Sequence, residues 1–276
     1  MRQIKVKNFL IGKKQPLACI FGPCVIESEE QALQTAEILT RTLSHLPISL
    51  IYKSSYDKAN RSSIESFRGP GIQEGLKILE NVRKTFSLPV LTDVHSPEEI
   101  PSAAQCCDIL QIPAFLCRQT DLLIAAAKSG AVINVKKGQF IAPWDMANVV
   151  EKLLSAGCSD ILLTERGATF GYNRLVVDMC SIPMMQKLGY PVCFDASHSV
   201  QTPGGLGSSS GGEREFIPHL ARAAIAAGAN ALFIETHPNP DQAKSDRHSV
   251  FPLDALPALI ESIIPIYEHV QKCTHE

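Results

Sequence analysis

Eight short apolar runs recur along this chain, at residues 17–22, 48–53, 89–95, 108–113, 131–136, 160–166, 191–198 and 231–238. They are rich in Val, Ile, Leu and Phe, and most are followed by a segment with helical period. Glu29–Leu43 sets Leu33, Ala36, Leu39 and Leu43 along one face, and Ser28 with Gln31 makes the pattern of an N-terminal capping box. Near the C-terminus Leu256, Leu259, Ile260, Ile263 and Tyr267 form a similar stripe, with a kink expected at Pro265. Strands separated by helices cannot pair as hairpins; they need crossovers, and crossovers make a parallel sheet. Eight such units predict one closed (β/α)8 TIM barrel, with a doubly wound open sheet as the alternative. The 276 residues suit a single barrel domain spanning 1–276. The residues before Leu17 are expected to add a short hairpin across its lower end.

Composition narrows the function classes. The formal charge is −2, from 26 basic and 28 acidic residues spread evenly, which speaks against a nucleic-acid or anionic-membrane surface but leaves room for a local basic pocket. Nine cysteines without a CxxC pair fit neither a disulfide framework nor a zinc ribbon. Lysines interrupt the first residues, so no signal-peptide core forms, and no apolar run reaches membrane-spanning length. The expectation is a cytoplasmic protein acting on small molecules.

Barrel enzymes carry their chemistry at the C-terminal ends of the strands. Here those ends hold Cys24, Lys53, Asp93, His95, Gln111, Lys136, Arg166, His198, Glu235 and His237. Strand alternation puts Leu91, Asp93 and His95 on one face, and Phe233, Glu235 and His237 on another. One polar residue at a strand end is an ordinary solvated terminus, but so many in register mark an active site. Lys53, Lys58, Arg61, Arg68, Lys136, Lys137 and Arg166 also gather at or just beyond strand ends. Some must pair with nearby Asp57, Glu65 and Glu165, yet the excess suits phosphate or carboxylate groups. No Walker or dinucleotide glycine pattern is present. Cys24, His198, Glu235 and Asp246 come from the first, seventh and eighth strand regions, which are neighbours in a closed barrel. Their mixed S/N/O donors would suit Zn, Fe, Mn or Co better than magnesium.

The same residues carry a family resemblance. Lys58-Ala59-Asn60-Arg61-Ser62-Ser63 and Ser66-Phe67-Arg68-Gly69-Pro70-Gly71 resemble the signature of the 3-deoxy-D-manno-octulosonate 8-phosphate synthases. Gly22-Pro23-Cys24, Thr92-Asp93-Val94-His95, Gln111-Ile112-Pro113-Ala114-Phe115, Val135-Lys136-Lys137-Gly138-Gln139 and Glu235-Thr236-His237-Pro238 match further blocks. The resemblance implies condensation of phosphoenolpyruvate with arabinose 5-phosphate, releasing phosphate, in lipopolysaccharide sugar synthesis. It implies that Lys53, Lys58, Gln111, Lys136 and Arg166 hold phosphoenolpyruvate, while Asn60, Arg61 and Ser62 serve the sugar phosphate. Cys24 places the chain in the metal-dependent group, with Cys24, His198, Glu235 and Asp246 as ligands of a divalent ion. The ion would orient the aldehyde or the attacking water. Lys136, His198 and Asp93 are the residues expected at the reacting atoms, Asp93 as a proton relay. A homotetramer is also implied.

Three alternatives are set against this reading. The related synthase using erythrose 4-phosphate shares the logic but has a shorter Pro-Arg-Thr-Ser pattern where Asn60 stands. A Schiff-base aldolase would use Lys136 or Lys53. A phosphosugar-binding barrel would bind without turnover. Residues 201–212, rich in Gly and Ser, are expected to form a lid over the site.

Overall fold

The computed structural model describes residues 1–61, 63–205 and 210–273. Eight parallel strands form a ring: Leu17–Gly22, Ile48–Lys53, Val90–Asp93, Ile109–Ile112, Val132–Lys136, Ile161–Glu165, Val192–Asp195 and Ala231–His237. Each pairs with the next, and the eighth pairs with both the seventh and the first, which closes the barrel. A helix follows each strand: Glu29–Leu43, Ile72–Phe86, Ile100–Cys106, Thr120–Ala127, Met146–Ser155, Ser181–Gln186, Ile217–Ala226 and Leu256–Cys273. The expected barrel is therefore the observed one.

The pleat sorts the strand residues into two cores. Outward residues such as Phe21, Tyr52, Val90, Leu110, Val135, Leu163, Phe194 and Ile234 pack under the helices. Inward residues Ala18, Ile20, Ile51, Leu91, Ile109, Val132, Leu162, Cys193, Ala231 and Phe233 fill the lower barrel. The expected hairpin, Ile4–Val6 with Phe9–Ile11, is antiparallel, and its Ile4, Val6 and Ile11 join that inner cluster. Burying each of these three side chains contributes about 1.5–3 kcal/mol. The lower end is thus sealed by apolar packing, and the polar groups are confined to the upper end.

Helix Glu29–Leu43 keeps its expected bounds, with the Ser28 hydroxyl accepting from Gln31 N at 3.1 Å. Only half of the capping box forms, because the Gln31 side chain turns to His237 instead, at 2.5 Å. The C-terminal stripe Leu256, Leu259, Ile260, Ile263 and Tyr267 is buried along one helix that contains Pro265. Two apolar runs overreach. The third strand stops at Asp93, and the seventh stops at Asp195, so His95 and His198 stand beyond the ladder. Ala196–Ser199 is a helical turn, fixed because the Asp195 carboxylate caps it by accepting from His198 N at 2.9 Å. Gln201–Thr202 and Gly211–Gly212 pair as a short antiparallel ladder at the base of the Gly/Ser loop. Ser62, and residues 206–209 of that loop, lie outside the described residues.

Candidate active site

Above the inner apolar layer the same inward positions turn polar. Lys53 follows Ile51, Asp93 follows Leu91, and Gln111 follows Ile109. Asn134 and Lys136 follow Val132, Thr164 follows Leu162, Asp195 follows Cys193, and Glu235 follows Phe233. Period-two alternation thus builds a polar layer, of which Lys53, Asp93, Gln111, Lys136 and Glu235 line a cavity of about 590 Å³ at the C-terminal mouth. Its described lining has seven Lys or Arg side chains (Lys53, Lys58, Arg61, Lys136, Arg166, Lys244 and Arg247) against three carboxylates (Asp93, Glu235 and Asp246). Such an excess of cation in a cleft attracts and orients polyanions.

The floor cations are held by buried carboxylates. Lys53 donates to Glu235 Oε1 at 2.5 Å and to the Cys24 carbonyl at 2.9 Å. Lys136 is paired with Asp195, and its Nζ lies 3.7 Å from the centre of the Phe233 ring. Lys58 lies 3.5 Å from Asp93 and 3.8 Å from Glu235. Burial pushes the Asp93 carboxyl up, but Lys58, Lys53 and Lys136 outweigh it and hold it well below the usual range. Glu235 behaves alike, with burial opposed and overcome by Lys53, His198 and Lys58. Burial also works against the Lys58 cation, yet Cys24, Asp93 and Glu235 raise its pKa well above the ordinary lysine value. Arg166 is buried and its pKa is lowered by that burial. It donates to Gln201 Oε1 at 2.9 Å, while its Nη1 has no hydrogen-bond partner among the described residues.

Cys24, Glu235 and Asp246 offer donor atoms within 4.8 Å of one another and could hold a metal ion. The set tests well on its own chemistry. One sulfur and two carboxylates match a divalent transition ion, and the buried Glu235 Oε2 has no hydrogen-bond partner among the described residues. Cys24 Sγ donates to Asp246 Oδ2 at 3.0 Å, and burial, with Asp246 and Glu235 beside it, raises the thiol's pKa. Asp246 reaches this position on a left-handed backbone, φ +50°, which Asp tolerates better than most residues. His198 stands outside the three-residue set, although its Nε2 faces Glu235 Oε2 at 3.6 Å. Its Nδ1 lies 2.8 Å from Asp195 Oδ2.

Of the residues expected from sequence, Lys53, Lys58, Asn60, Arg61, Asp93, Gln111, Lys136, Arg166, His198, Glu235 and Asp246 all border the cavity. Cys24 sits behind it, buried, and Ser62 lies outside the described residues. Arg61 is held by its neighbours, bonding the Ser245 hydroxyl and lying 3.5 Å from Asp246. Two members of the basic group have structural partners: Lys137 is buried 3.5 Å from Glu165, and Arg68 pairs with Asp57 at the surface. Sequence reasoning missed Asp195, Asn134, Thr164, Ser55, Gln201 and Ser245. The first three were within reach, since each is the next inward position on a run already identified.

A family model described as the DAHP synthetase I family matches residues 2–270. The chain belongs to the DAHP synthetase I family. Within it, a protein of Protochlamydia amoebophila is 61% identical over 272 residues, covering 99% of both chains. One from Geobacter metallireducens is 56% identical over 262 residues, 95% of this chain and 96% of that one. One from a Cyanothece species is 58% identical over 256 residues, covering 93% and 94%. All three are named 2-dehydro-3-deoxyphosphooctonate aldolase. Among the described residues no helix is long and apolar enough to cross a membrane.

Proposed function

We propose that this chain condenses phosphoenolpyruvate with arabinose 5-phosphate, giving 3-deoxy-D-manno-octulosonate 8-phosphate and inorganic phosphate for lipopolysaccharide sugar synthesis. The observation that carries the reading is a cationic cavity at a barrel mouth, in a chain 61% identical to a protein named for that octonate. The chemistry joins C3 of the enol phosphate to the aldehyde carbon, whose oxygen takes up a proton. Positive character at C2 is quenched by water, which loses one proton as it adds; the C2–O bond to phosphate then breaks while the new C2 hydroxyl gives its remaining proton to the departing phosphate, leaving the ketone.

The chain's residues serve those steps by position and charge. Lys53, Lys58, Lys136, Arg166 and Gln111 hold phosphoenolpyruvate, and their cations stabilise the charge on the departing phosphate. Asn60, Arg61 and Ser62 serve the sugar phosphate. Asp93, kept ionised by three lysines, anchors Lys58 and Gln111 and is the carboxylate through which a proton would be relayed. A divalent ion (Zn, Fe, Mn or Co) held by Cys24, His198, Glu235 and Asp246 would polarise an oxygen beside it as a Lewis acid. Lys53 and Lys136, the two lysines that a Schiff-base route would need, are both tied into ion pairs, which favours direct condensation.

The test measures inorganic phosphate released from phosphoenolpyruvate with each aldose phosphate in turn. Turnover is expected with arabinose 5-phosphate. Faster turnover with erythrose 4-phosphate, or tight binding of both substrates without phosphate release, would overturn the reading. A homotetramer in solution is expected by resemblance, with mass photometry as the check.

A further inference from the structure

Beneath the cavity, four neighbouring strands carry one continuous row of buried polar side chains: Asp93, Gln111, Asn134 and Thr164. Gln111 Nε2 donates to Asp93 Oδ1. Asn134 Nδ2 donates to Gln111 Oε1 at 2.9 Å, and the Thr164 hydroxyl donates to Asn134 Oδ1 at 2.6 Å. Every donor along the row points the same way round the barrel, toward Asp93.

That common direction has a cause. An ionised carboxylate offers acceptors only. Asp93 already accepts from Ser55 at 2.8 Å and faces Lys58, and it is kept ionised by the lysines around it. Gln111 must therefore turn its NH2 toward Asp93, which sends its carbonyl toward Asn134. Asn134 must answer with its own NH2, which leaves its carbonyl needing a donor, and the Thr164 hydroxyl is that donor. Reversing either amide would set two N–H groups or two lone pairs face to face in a buried site, at a cost of about 1–3 kcal/mol. With its carbonyl spent on Asn134 and one N–H on Asp93, Gln111 keeps one N–H with no partner among the described residues.

We propose that Asn134 and Thr164 are positioning residues, which lock Gln111 so that an N–H and not its carbonyl meets an anionic oxygen of phosphoenolpyruvate. The proposal rests on the reading of this cavity as the phosphoenolpyruvate site. A glutamine is ambivalent, able to offer a donor or an acceptor, and a carbonyl turned to the cavity would repel a carboxylate or phosphate. The row makes it a donor. Thr164 and Asn134 themselves are fully buried and do not border the cavity, so they act only through Gln111.

The test is a double-mutant cycle on the full-length, metal-replete enzyme, with phosphoenolpyruvate affinity read by calorimetry and the KM of each substrate read separately. Thr164→Val keeps the shape and removes the terminal donor. It should weaken phosphoenolpyruvate about tenfold, the loss of one charge-assisted hydrogen bond, and leave the arabinose 5-phosphate KM unchanged. Thr164→Ser should restore binding. In a Gln111→Ala background, Thr164→Val should have no further effect on phosphoenolpyruvate affinity. Additive losses in the cycle, equal losses for both substrates, or unchanged affinity in Thr164→Val would overturn the proposal. If Thr164→Val fails to melt cooperatively, Asn134→Asp takes its place. It puts an acceptor where Nδ2 donated, so the same tenfold loss supports the proposal and unchanged affinity overturns it. Wild-type protein that does not bind phosphoenolpyruvate at all would instead sink the reading of the site.

Discussion

Replacing Asp195 by Asn tests whether the site's charges are held by their partners or by the packing around them. Asp195 is fully buried, pairs with Lys136, lies 2.8 Å from His198 Nδ1, and caps the turn that carries His198. Asn keeps the capping oxygen, so about 1 kcal/mol of cap is retained. What is removed is the charge beside Lys136, itself nearly buried at 6% side-chain exposure. Taking one partner from a buried pair costs about 3–5 kcal/mol, and the opening of Lys136 toward the cavity places this case near the lower figure, about 3 kcal/mol. In a domain of this size that lowers Tm by about 6–12 °C. Asp195→Ala should lose the cap as well, a further step of about 1 kcal/mol. The sign with pH also follows. Burial raises the Asp195 carboxyl, but His198 and Lys136 outweigh it, so its folded pKa lies well below the unfolded value near ~3.9. Its contribution is complete above the unfolded value and is lost as pH falls toward the folded one. Urea unfolding at pH 7 and at steps below pH 5 should therefore show the gap between wild type and Asn variant narrowing in acid. Equal stability at pH 7, or a gap that widens in acid, would refute the reasoning.

Further expectations concern the metal set, the sugar-phosphate grip and the backbone. Chelation should abolish turnover, with Mn, Co, Fe or Zn restoring part of it, and Cys24→Asn should lower bound metal in elemental analysis while retaining partial metal-free activity; full activity in metal-free wild type would contradict this. Arg61→Ala should raise the KM for arabinose 5-phosphate at least tenfold more than that for phosphoenolpyruvate, with Arg61→Lys recovering only part because it lacks the planar fork. Equal effects on both would mean that its ties to Ser245 and Asp246 matter more than a phosphate. Gly22→Ala should cost more than about 4 kcal/mol or prevent folding, since a Cβ there would sit 2.0 Å from the Lys53 carbonyl on a backbone of φ +151°. Expression and circular dichroism would read the outcome.

The strands were legible because their signal is local: Ile51 and Lys53, or Leu91 and Asp93, lie two residues apart and must share a face. The polar lining of the mouth followed from the same alternation. The partners of those residues were not legible. Nothing near Lys136 in the chain announces Asp195, which comes 59 positions later and meets it only because the barrel closes. Lys136 and Lys137 look alike in sequence, yet the pleat sends one to the cavity floor and the other to Glu165 behind it. The seventh run extends to His198 because nothing in Ala196-Ser197-His198 reveals that the Asp195 side chain ends the strand by capping a turn. Asp246 depends on a left-handed loop conformation and on bonds to Ser245 and Gln201, none of which has a periodic signature.

The hairpin beneath the barrel has a consequence for how the chain is made. Residues 4–11 precede every barrel strand in the chain, yet the inner cluster that Ile4, Val6 and Ile11 join includes Ala231 and Phe233, more than two hundred positions later. That cluster is complete only once the eighth strand has paired with the first through Ala231 and Ala18. The hairpin can therefore complete its packing only after the ring has closed, as a cork in a finished bottle. Its seating, at the end remote from substrate, would then be the event that dries the inner layer on which Lys53, Asp93, Gln111 and Glu235 stand.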